Sequence, residues 1–211
     1  MLSVLDDVES VLEIEPDAIK RLTADMNGMS MTVEEFRAAE EGEPGYRFDL
    51  IHGVLVVSPA PSAGERDPNG ELEFRLRLYR RTHPQGSSLD LTLFEQELET
   101  SAGIRRADRV IWAGLGRKPD LDRDVPAIVV EFVSGTSRDR RRDYEEKRSE
   151  YIALGVKEYW IIDRFRRTMT VCVGAEKPRI VRVKDIYSTP ILPGFELPLA
   201  ELFAITDSWA D

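Results

Sequence analysis

The chain of 211 residues carries a formal charge of −10, with 42% hydrophobic and 32% charged residues, which is the composition of a globular protein with one sizeable core. An acidic total argues against a protein that grips long stretches of duplex through phosphates, although it permits local basic strips and acidic metal pockets. No run approaches the ~18 apolar residues needed to cross a membrane, so no membrane association is expected.

The N-terminus and the cysteine content predict a cytoplasmic protein. The opening MLSVLDDVESVLEIEPD is acidic and lacks the basic-then-apolar order of a signal peptide. A single cysteine, Cys172, excludes an internal disulfide and fits a reducing compartment.

The first half of the chain predicts two helical segments, a hairpin and a longer helix. Residues 1–28 are polar and loosely amphipathic, and the segment breaks at Asn27-Gly28. In MTVEEFRAAEE, a threonine and a glutamate three residues apart predict a capping box at the start of a short helix. The segment YRFDLIHGVLVVSPAPS alternates around a His-Gly step, which predicts a tight hairpin. Residues 70–82 then have apolar side chains at helical spacing.

The second half is dominated by strands. They are predicted at LDLTLFEQELE, IRRADRVIWAG, AIVVEFVS, VKEYWIID, TMTVCVG and RIVRVKD. A charged helix is predicted over residues 138–154, ending at Gly155, and PILPGFELPLAELF predicts an extended segment before a short helix. We therefore predict an α+β fold: a mixed β-sheet core flanked by helices (residues 31–205), an N-terminal helical extension (1–30) and a short tail (206–211).

Two strands contain acids in otherwise apolar surroundings. Glu131 alternates with Val129 and Val133, and Asp108 interrupts RRADRVIW in a similar way. Two carboxylates that converge in a partly dry pocket repel each other unless one is protonated or a divalent cation lies between them. One interpretation is a site for Mg²⁺ or Mn²⁺. Zinc is disfavoured, because His52, His83 and Cys172 form no ligand pair at a recognisable spacing.

A simpler interpretation is that both acids only pair with arginines at the edge of the sheet. Arg105, Arg106 and Arg109 are near enough in sequence to be such partners. Spacing alone leaves the two interpretations equally balanced.

The helix that follows AIVVEFVS places a lysine toward the sheet. Tyr144, Lys147, Tyr151 and Leu154 fall on one stripe at 100° per residue. A lysine on a packed face is costly unless its amine reaches water or a partner, and Asp143, four residues earlier, is one candidate partner. Two acids, a cation and this lysine together would suffice for metal-dependent hydrolysis of a phosphodiester.

At this point the sequence resembles a bacterial family described as "putative restriction endonucleases", a branch of the PD-(D/E)XK nuclease superfamily. The resemblance runs from about residue 31 to 203 and is carried by MTVEEF, FDLIHGVLVVSPAPS, ADRVIW, AIVVEFVSGTS, RDYEEKRSEYIALGVKEYWIID and ILPGFELPLAELF. It implies Asp108 and Glu131 as metal ligands. The usual lysine two residues after the glutamate is here Val133, and the resemblance implies that Lys147 replaces it. Asp49 stands where the family tends to have a glutamate and becomes an auxiliary acid candidate.

The resemblance also has departures, which keep two functions open. The family often carries a histidine where this chain has Glu65, and the acid expected before Asp108 is either Glu95 or Gln96. The first function is a Mg²⁺-dependent endonuclease acting on DNA, with phosphate contacts from the arginines at positions 138 and 140–142. The alternative is a catalytically inactive binding or assembly module, for example a homodimer formed through an exposed sheet edge near VKEYWIID and TMTVCVG.

Overall fold

The computed structural model describes residues 19–134 and 142–209, without the side chains of residues 142 and 143. Four α-helices lie in these ranges: α1 (Val33–Ala38), α2 (Ala63–Thr82), α3 (Lys147–Leu154) and α4 (Leu199–Asp207). A π-helical turn, Arg142–Glu146, leads directly into α3. The strands are β1 (Arg21–Leu22), β2 (Glu41–Gly42), β3 (Tyr46–Ile51), β4 (Val54–Pro59), β5 (Leu89–Thr100), β6 (Gly103–Ala113), β7 (Ile128–Phe132), β8 (Glu158–Asp163), β9 (Thr168–Cys172), β10 (Arg179–Arg182), β11 (Ile186–Ser188) and β12 (Glu196–Pro198).

Eight strands form one mixed sheet with helices on both faces, which confirms the predicted α+β class. The order is β10-β9-β8-β7-β6-β3-β4, with β5 also paired to β6. Only β7 and β8 run parallel within this sheet, and α3 lies in the connection between them. One face packs against α2 and α4 through a core that includes Leu76 and Phe203, and the other packs against α3 through Tyr151.

The local signals of the first half are largely confirmed. Thr32 and Glu35 form the predicted capping box of α1, and the β3–β4 hairpin turns at the positive φ of His52 and Gly53. Helix α2 begins earlier than residue 70 because the carboxylate of Glu65 accepts hydrogen bonds from the backbone N–H and the hydroxyl of Ser62 at 2.8 and 2.6 Å. Such a cap satisfies helix N-terminal groups that would otherwise lack partners.

The prediction of a helical N-terminal extension fails for the residues that can be described. Residues 1–18 lie outside the described ranges. Beyond them, β1 pairs with β2 and a single 3₁₀ turn covers Ala24–Met26. Leu22 and Met31 are buried in one cluster with Phe48 of β3. Burial against the sheet has overridden the weak helical pattern of this segment, which packs on the domain.

Two predictions about the rest of the fold need correction. Strands β8 and β9 are interior, since β7 and β10 flank them, so they offer no exposed edge for a homodimer; among the described strands, the edges of this sheet are β10, β4 and β5. The boundary at residue 205 falls inside α4, which continues to Asp207. Within the described ranges, no helix is both long and apolar enough to span a membrane.

Candidate active site

A gap along one edge of β6 forms the centre of the candidate site. Strand β5 pairs with β6 over almost its whole length, from Gly103 to Ala113. The other edge is shared: β3 pairs at residues 103–104 and β7 at residues 109–111. Because a strand has two edges, residues 105–108 are left without a strand partner there among the described strands. We call this opening the β6 gap.

Polar side chains replace the missing ladder bonds across the β6 gap. Asp49 Oδ1 accepts the backbone N–H of Arg106 at 2.7 Å, and Arg47 Nη2 donates to the carbonyl of Arg106 at 2.9 Å. Asp108 Oδ2 accepts the N–H of Phe132 in β7 at 2.6 Å. Buried backbone groups need such partners, so these three side chains hold β3 and β7 apart at a fixed position.

Arg47 lies at the point where the acids of the gap converge. Its Nη1 is 2.7 Å from Asp108 Oδ1, and its Nε is 3.2 Å from Glu95 Oε2. Burial on its own would lower the pKa of this guanidinium, but the carboxylates of Asp108, Glu131, Glu95 and Asp49 outweigh burial and raise it. The acids of the gap therefore stabilise the positive charge of Arg47.

Glu95, rather than Gln96, is the acid that β5 contributes. Its φ of 51° is uncommon for a residue other than glycine, and the β5–β6 pairing skips Glu95 and Asp108, which would otherwise be opposite each other. Burial raises the pKa of Glu95, and the neighbouring charges of Asp108 and Asp49 raise it further, against the effect of Arg47. Irregular backbone of this kind often occurs at functional sites.

Glu131 and Lys147 form a buried ion pair on the α3 side of the sheet. Lys147 Nζ is 2.8 Å from Glu131 Oε1, and each side chain is 3% exposed. The hydroxyl of Tyr151 donates to the same oxygen at 3.0 Å. Burial, followed by the charge of Glu131, raises the pKa of Tyr151 well above its usual value, so the hydroxyl keeps its proton. The predicted stripe of α3 therefore does face the sheet.

A second buried pair fixes the position of α3 and hence of Lys147. Glu150, three residues after Lys147, accepts from Arg105 Nε at 2.7 Å and also from Arg105 Nη2. The hydroxyl of Thr100 in β5 adds a third bond at 2.9 Å. A two-point arginine–carboxylate contact restrains both distance and angle.

The structure brings all four predicted site residues to the β6 gap, but the partners differ from those expected. Arg105 pairs with Glu150, Arg106 with Glu97 and Arg109 with Glu73, so these arginines are not the partners of the two acids. Asp108 instead pairs with Arg47, which sequence reasoning missed. Its signal was present: Arg47 stands two residues before Asp49 in β3, on the same side of an alternating strand. Tyr151, four residues after Lys147, was placed on the stripe but not in the site.

The donor set at the gap suits a hard divalent cation. Glu95, Asp108 and Glu131 supply carboxylate oxygens, the ligands that Mg²⁺ and Mn²⁺ prefer. In the part of the chain that the structure describes, no three histidine, cysteine, aspartate or glutamate side chains are already arranged as a metal cluster. Arg47 holds the position between the acids, so a cation would have to displace its guanidinium from Asp108. The arginines predicted to contact phosphate, at positions 138 and 140–142, lie outside the described side chains.

Comparisons with known proteins agree with this architecture. The sequence profile of the family described as "Uma2: Putative restriction endonuclease" matches residues 33–200. The fold is similar to that of a crystal structure titled as a putative nuclease belonging to DUF820 from Anabaena variabilis, with a TM-score of 0.65 and 15% identity over 83% of this chain and 99% of that one. No curated protein matches the chain. Because the profile spans most of its length, this chain belongs to the Uma2 family of restriction-endonuclease-like proteins.

Proposed function

We propose that this protein is an endonuclease that hydrolyses phosphodiester bonds of DNA and uses Mg²⁺ or Mn²⁺ as cofactor. The observation that carries the proposal is the convergence of Asp108 and Glu95 on Arg47 in the β6 gap, next to the buried Glu131–Lys147 pair. Burying charges costs several kcal/mol unless geometry and further hydrogen bonds repay it, and several acids that converge in a cleft are typical of functional sites. Family membership supports the same activity.

Each residue of the gap has a task in this proposal. Asp108 and Glu131 would hold the cation, with Glu95 as a third oxygen donor and Asp49 as an auxiliary acid that fixes β6 through Arg106. When bound, the cation would polarise the phosphodiester and lower the pKa of the attacking water. Lys147 Nζ would donate to the phosphate oxygen on which negative charge develops. Tyr151 would keep the carboxylate of Glu131 in place through its hydrogen bond.

One observation favours a second candidate, an inactive nuclease fold that binds or assembles without cutting. Arg47 already neutralises Asp108 at 2.7 Å, so the chain itself supplies a cation to one of the two proposed metal ligands. In this alternative, the ion pairs of the gap would only stabilise the fold. Homodimerisation stays a prediction in either case.

Cleavage and metal binding distinguish the two candidates. Purified protein is incubated with plasmid and with single-stranded DNA in Mg²⁺ or Mn²⁺, beside Glu131→Ala and Lys147→Ala, and metal binding is measured by calorimetry. The endonuclease predicts metal-dependent cleavage that both variants abolish. A wild-type protein that neither cuts nor binds metal would instead establish the inactive module. Metal binding without cleavage would retain the site and reject DNA as its substrate.

A further inference from the structure

A cavity of about 420 Å³ opens beside the β6 gap, between the first half of α2 and strands β3, β5 and β6. Arg47, Glu95 and Asp108 form part of its wall, so it is continuous with the candidate site. Its volume lies in the range of roughly 300–1,000 Å³ typical of small-ligand sites. A double helix cannot enter a space of this size, whereas a single nucleotide unit can.

Two aromatic rings face this cavity and remain open to solvent. Phe94 in β5 is 62% exposed and Tyr46 at the start of β3 is 40% exposed. Phe94 directly precedes Glu95, whose positive φ marks the interruption of the β5–β6 pairing beside Asp108. A rigid strand therefore presents a bare phenyl ring next to the residues proposed to bind the cation. Exposed aromatic rings on a strand are typical stacking platforms for unpaired bases.

The charges of the cavity wall leave one cation available to a ligand. Glu65 is occupied by the α2 cap, and Glu73 accepts from Arg109 at 2.9 Å. Arg106 pairs with Glu97. Arg66 on α2 is exposed, and its guanidinium makes no hydrogen bond or ion pair within the described residues. Its guanidinium can therefore meet a phosphate at the mouth of the cavity.

We propose that this cavity binds one unpaired nucleobase of single-stranded DNA, stacked on Phe94, with Arg66 contacting the adjacent phosphate. The inference rests on the proposed function, because the bound base would place its neighbouring phosphodiester at Asp108. The acidic total of the chain agrees with it, since stacking supplies affinity that does not require a broad basic face. The preferred substrate class is therefore DNA with single-stranded or unpaired positions.

Binding of a fluorescein-labelled 12-nucleotide thymidine oligomer, followed by fluorescence anisotropy in calcium, tests the cavity without relying on turnover. Phe94→Ala is expected to weaken binding about tenfold or more, because stacking of one base on an aromatic ring is lost. Phe94→Trp should retain the affinity. Phe74→Ala is the matched control, because Phe74 is 59% exposed on α2 but lies outside the cavity wall. A strand carrying 2-aminopurine should be quenched by the wild type and not by Phe94→Ala.

The binding measurements test the base pocket separately from the proposed endonuclease activity. Equal affinities of Phe94→Ala and Phe74→Ala would overturn the base pocket, even if metal-dependent cleavage is found. The same holds if the wild type binds no single strand at all. Phe94-dependent binding and quenching without cleavage would support the pocket and reject the nuclease.

Discussion

Two buried glutamates in neighbouring parallel strands have opposite surroundings. Glu131 in β7 and Glu158 in β8 are 2% and 5% exposed; Glu131 interrupts a run of apolar residues, and Glu158 begins the largely apolar strand EYWIID. Glu158 Oε2 accepts from the indole of Trp160 and the hydroxyl of Tyr187, both at 2.8 Å, and its Oε1 accepts from Thr189 at 2.7 Å. Neutral donors therefore satisfy Glu158 completely, and no other carboxylate is among its hydrogen-bond partners.

Glu131 is surrounded by charge instead. It pairs with Lys147, and with Asp108, Glu95 and Asp49 it raises the pKa of Arg47. A carboxylate buried among neutral donors ties segments together, as Glu158 ties β8 to β11. Where several carboxylates converge on a shared cationic side chain, a metal ion can replace that side chain as their partner. Burial of an acid alone does not identify a site, whereas convergence of several acids does.

A third buried acid, Glu150, shows that a charged partner is not sufficient either. Its two-point pair with Arg105 joins α3 to β5 and β6, and Glu150 is not among the acids that raise the pKa of Arg47. This pair is structural in the way that the Glu158 network is, but it carries two formal charges. Neutral donors surround Glu158, a single cation pairs with Glu150, and several charges surround Glu131, so substitutions of the three should differ in what they cost.

The largest effect is expected from Glu150→Ala, which leaves the guanidinium of Arg105 buried without its carboxylate. Arg105 is 1% exposed, and such a loss costs about 3–5 kcal/mol of unfolding free energy. Urea denaturation measures it. The paired variant Arg105→Met/Glu150→Leu should recover most of the loss, since it removes both charges. If the double variant is as unstable as Glu150→Ala, the pair must stabilise the fold by more than the neutralisation of its two charges.

The next effect is on activity and contrasts Glu131 with Glu158. Glu131→Gln keeps the shape and the hydrogen bonds to Lys147 and Tyr151 but removes a negative charge, and we expect cleavage to fall by about 10²–10³-fold. Glu158→Gln should cleave within a fewfold of the wild type. Initial rates on one plasmid preparation measure both. Equal losses for the two variants would indicate that stability, rather than chemistry, governs the assay.

The sequence could predict the fold because its signals were local and strong. The capping box of Thr32 and Glu35, the His52-Gly53 turn and the alternating strands each depend on near neighbours, and the structure has them where expected. The short strands β1 and β11 could not be predicted, since such brief elements form only when tertiary partners are present. The helical extension predicted for residues 1–28 fails in its described part, from residue 19 onward, for the same reason.

Only the part of the candidate site that depends on strand alternation and helical spacing was predictable. Alternation placed Glu131 on the α3 face of β7, and helical spacing placed Lys147 opposite it. Alternation could place Arg47 on the side of Asp49, but it could not pair Arg47 with Asp108, because 61 residues separate them and only the divergence of β3 and β7 brings them together. Nor could Glu131 be distinguished from Glu158, since both stand in apolar strands and the neutral partners of Glu158 come largely from a later strand and loop.

A smaller loss is expected for the stability of Glu158→Gln. A glutamine has one oxygen acceptor where the carboxylate has two, so its amide group would face a donor. We expect a cost of about 1–3 kcal/mol, the range for a buried polar group left unsatisfied. Thermal or urea unfolding measures it, with Glu196→Gln on an exposed position of β12 as a control. An unchanged unfolding free energy would mean that the network tolerates a neutral amide at this position.

The smallest expected effect is a change in Mn²⁺ affinity when Arg47 is substituted, which tests how the gap accommodates a cation. If the guanidinium occupies the position of the metal, Arg47→Met should strengthen Mn²⁺ binding at least about fivefold, as measured by calorimetry. The reason is that two like charges about 4 Å apart repel by ~1 kcal/mol even in water, and by more in a partly dry site. Arg47→Lys keeps the charge and serves as the control. Weaker binding in Arg47→Met alone would mean that Arg47 organises the acids through Arg106 and Glu95 rather than competing for them. In that case, Arg47 would position the neighbouring acids, as Arg105 positions Glu150. The surroundings of Glu131 would then differ from those of Glu150 and Glu158 only in the number of converging acids.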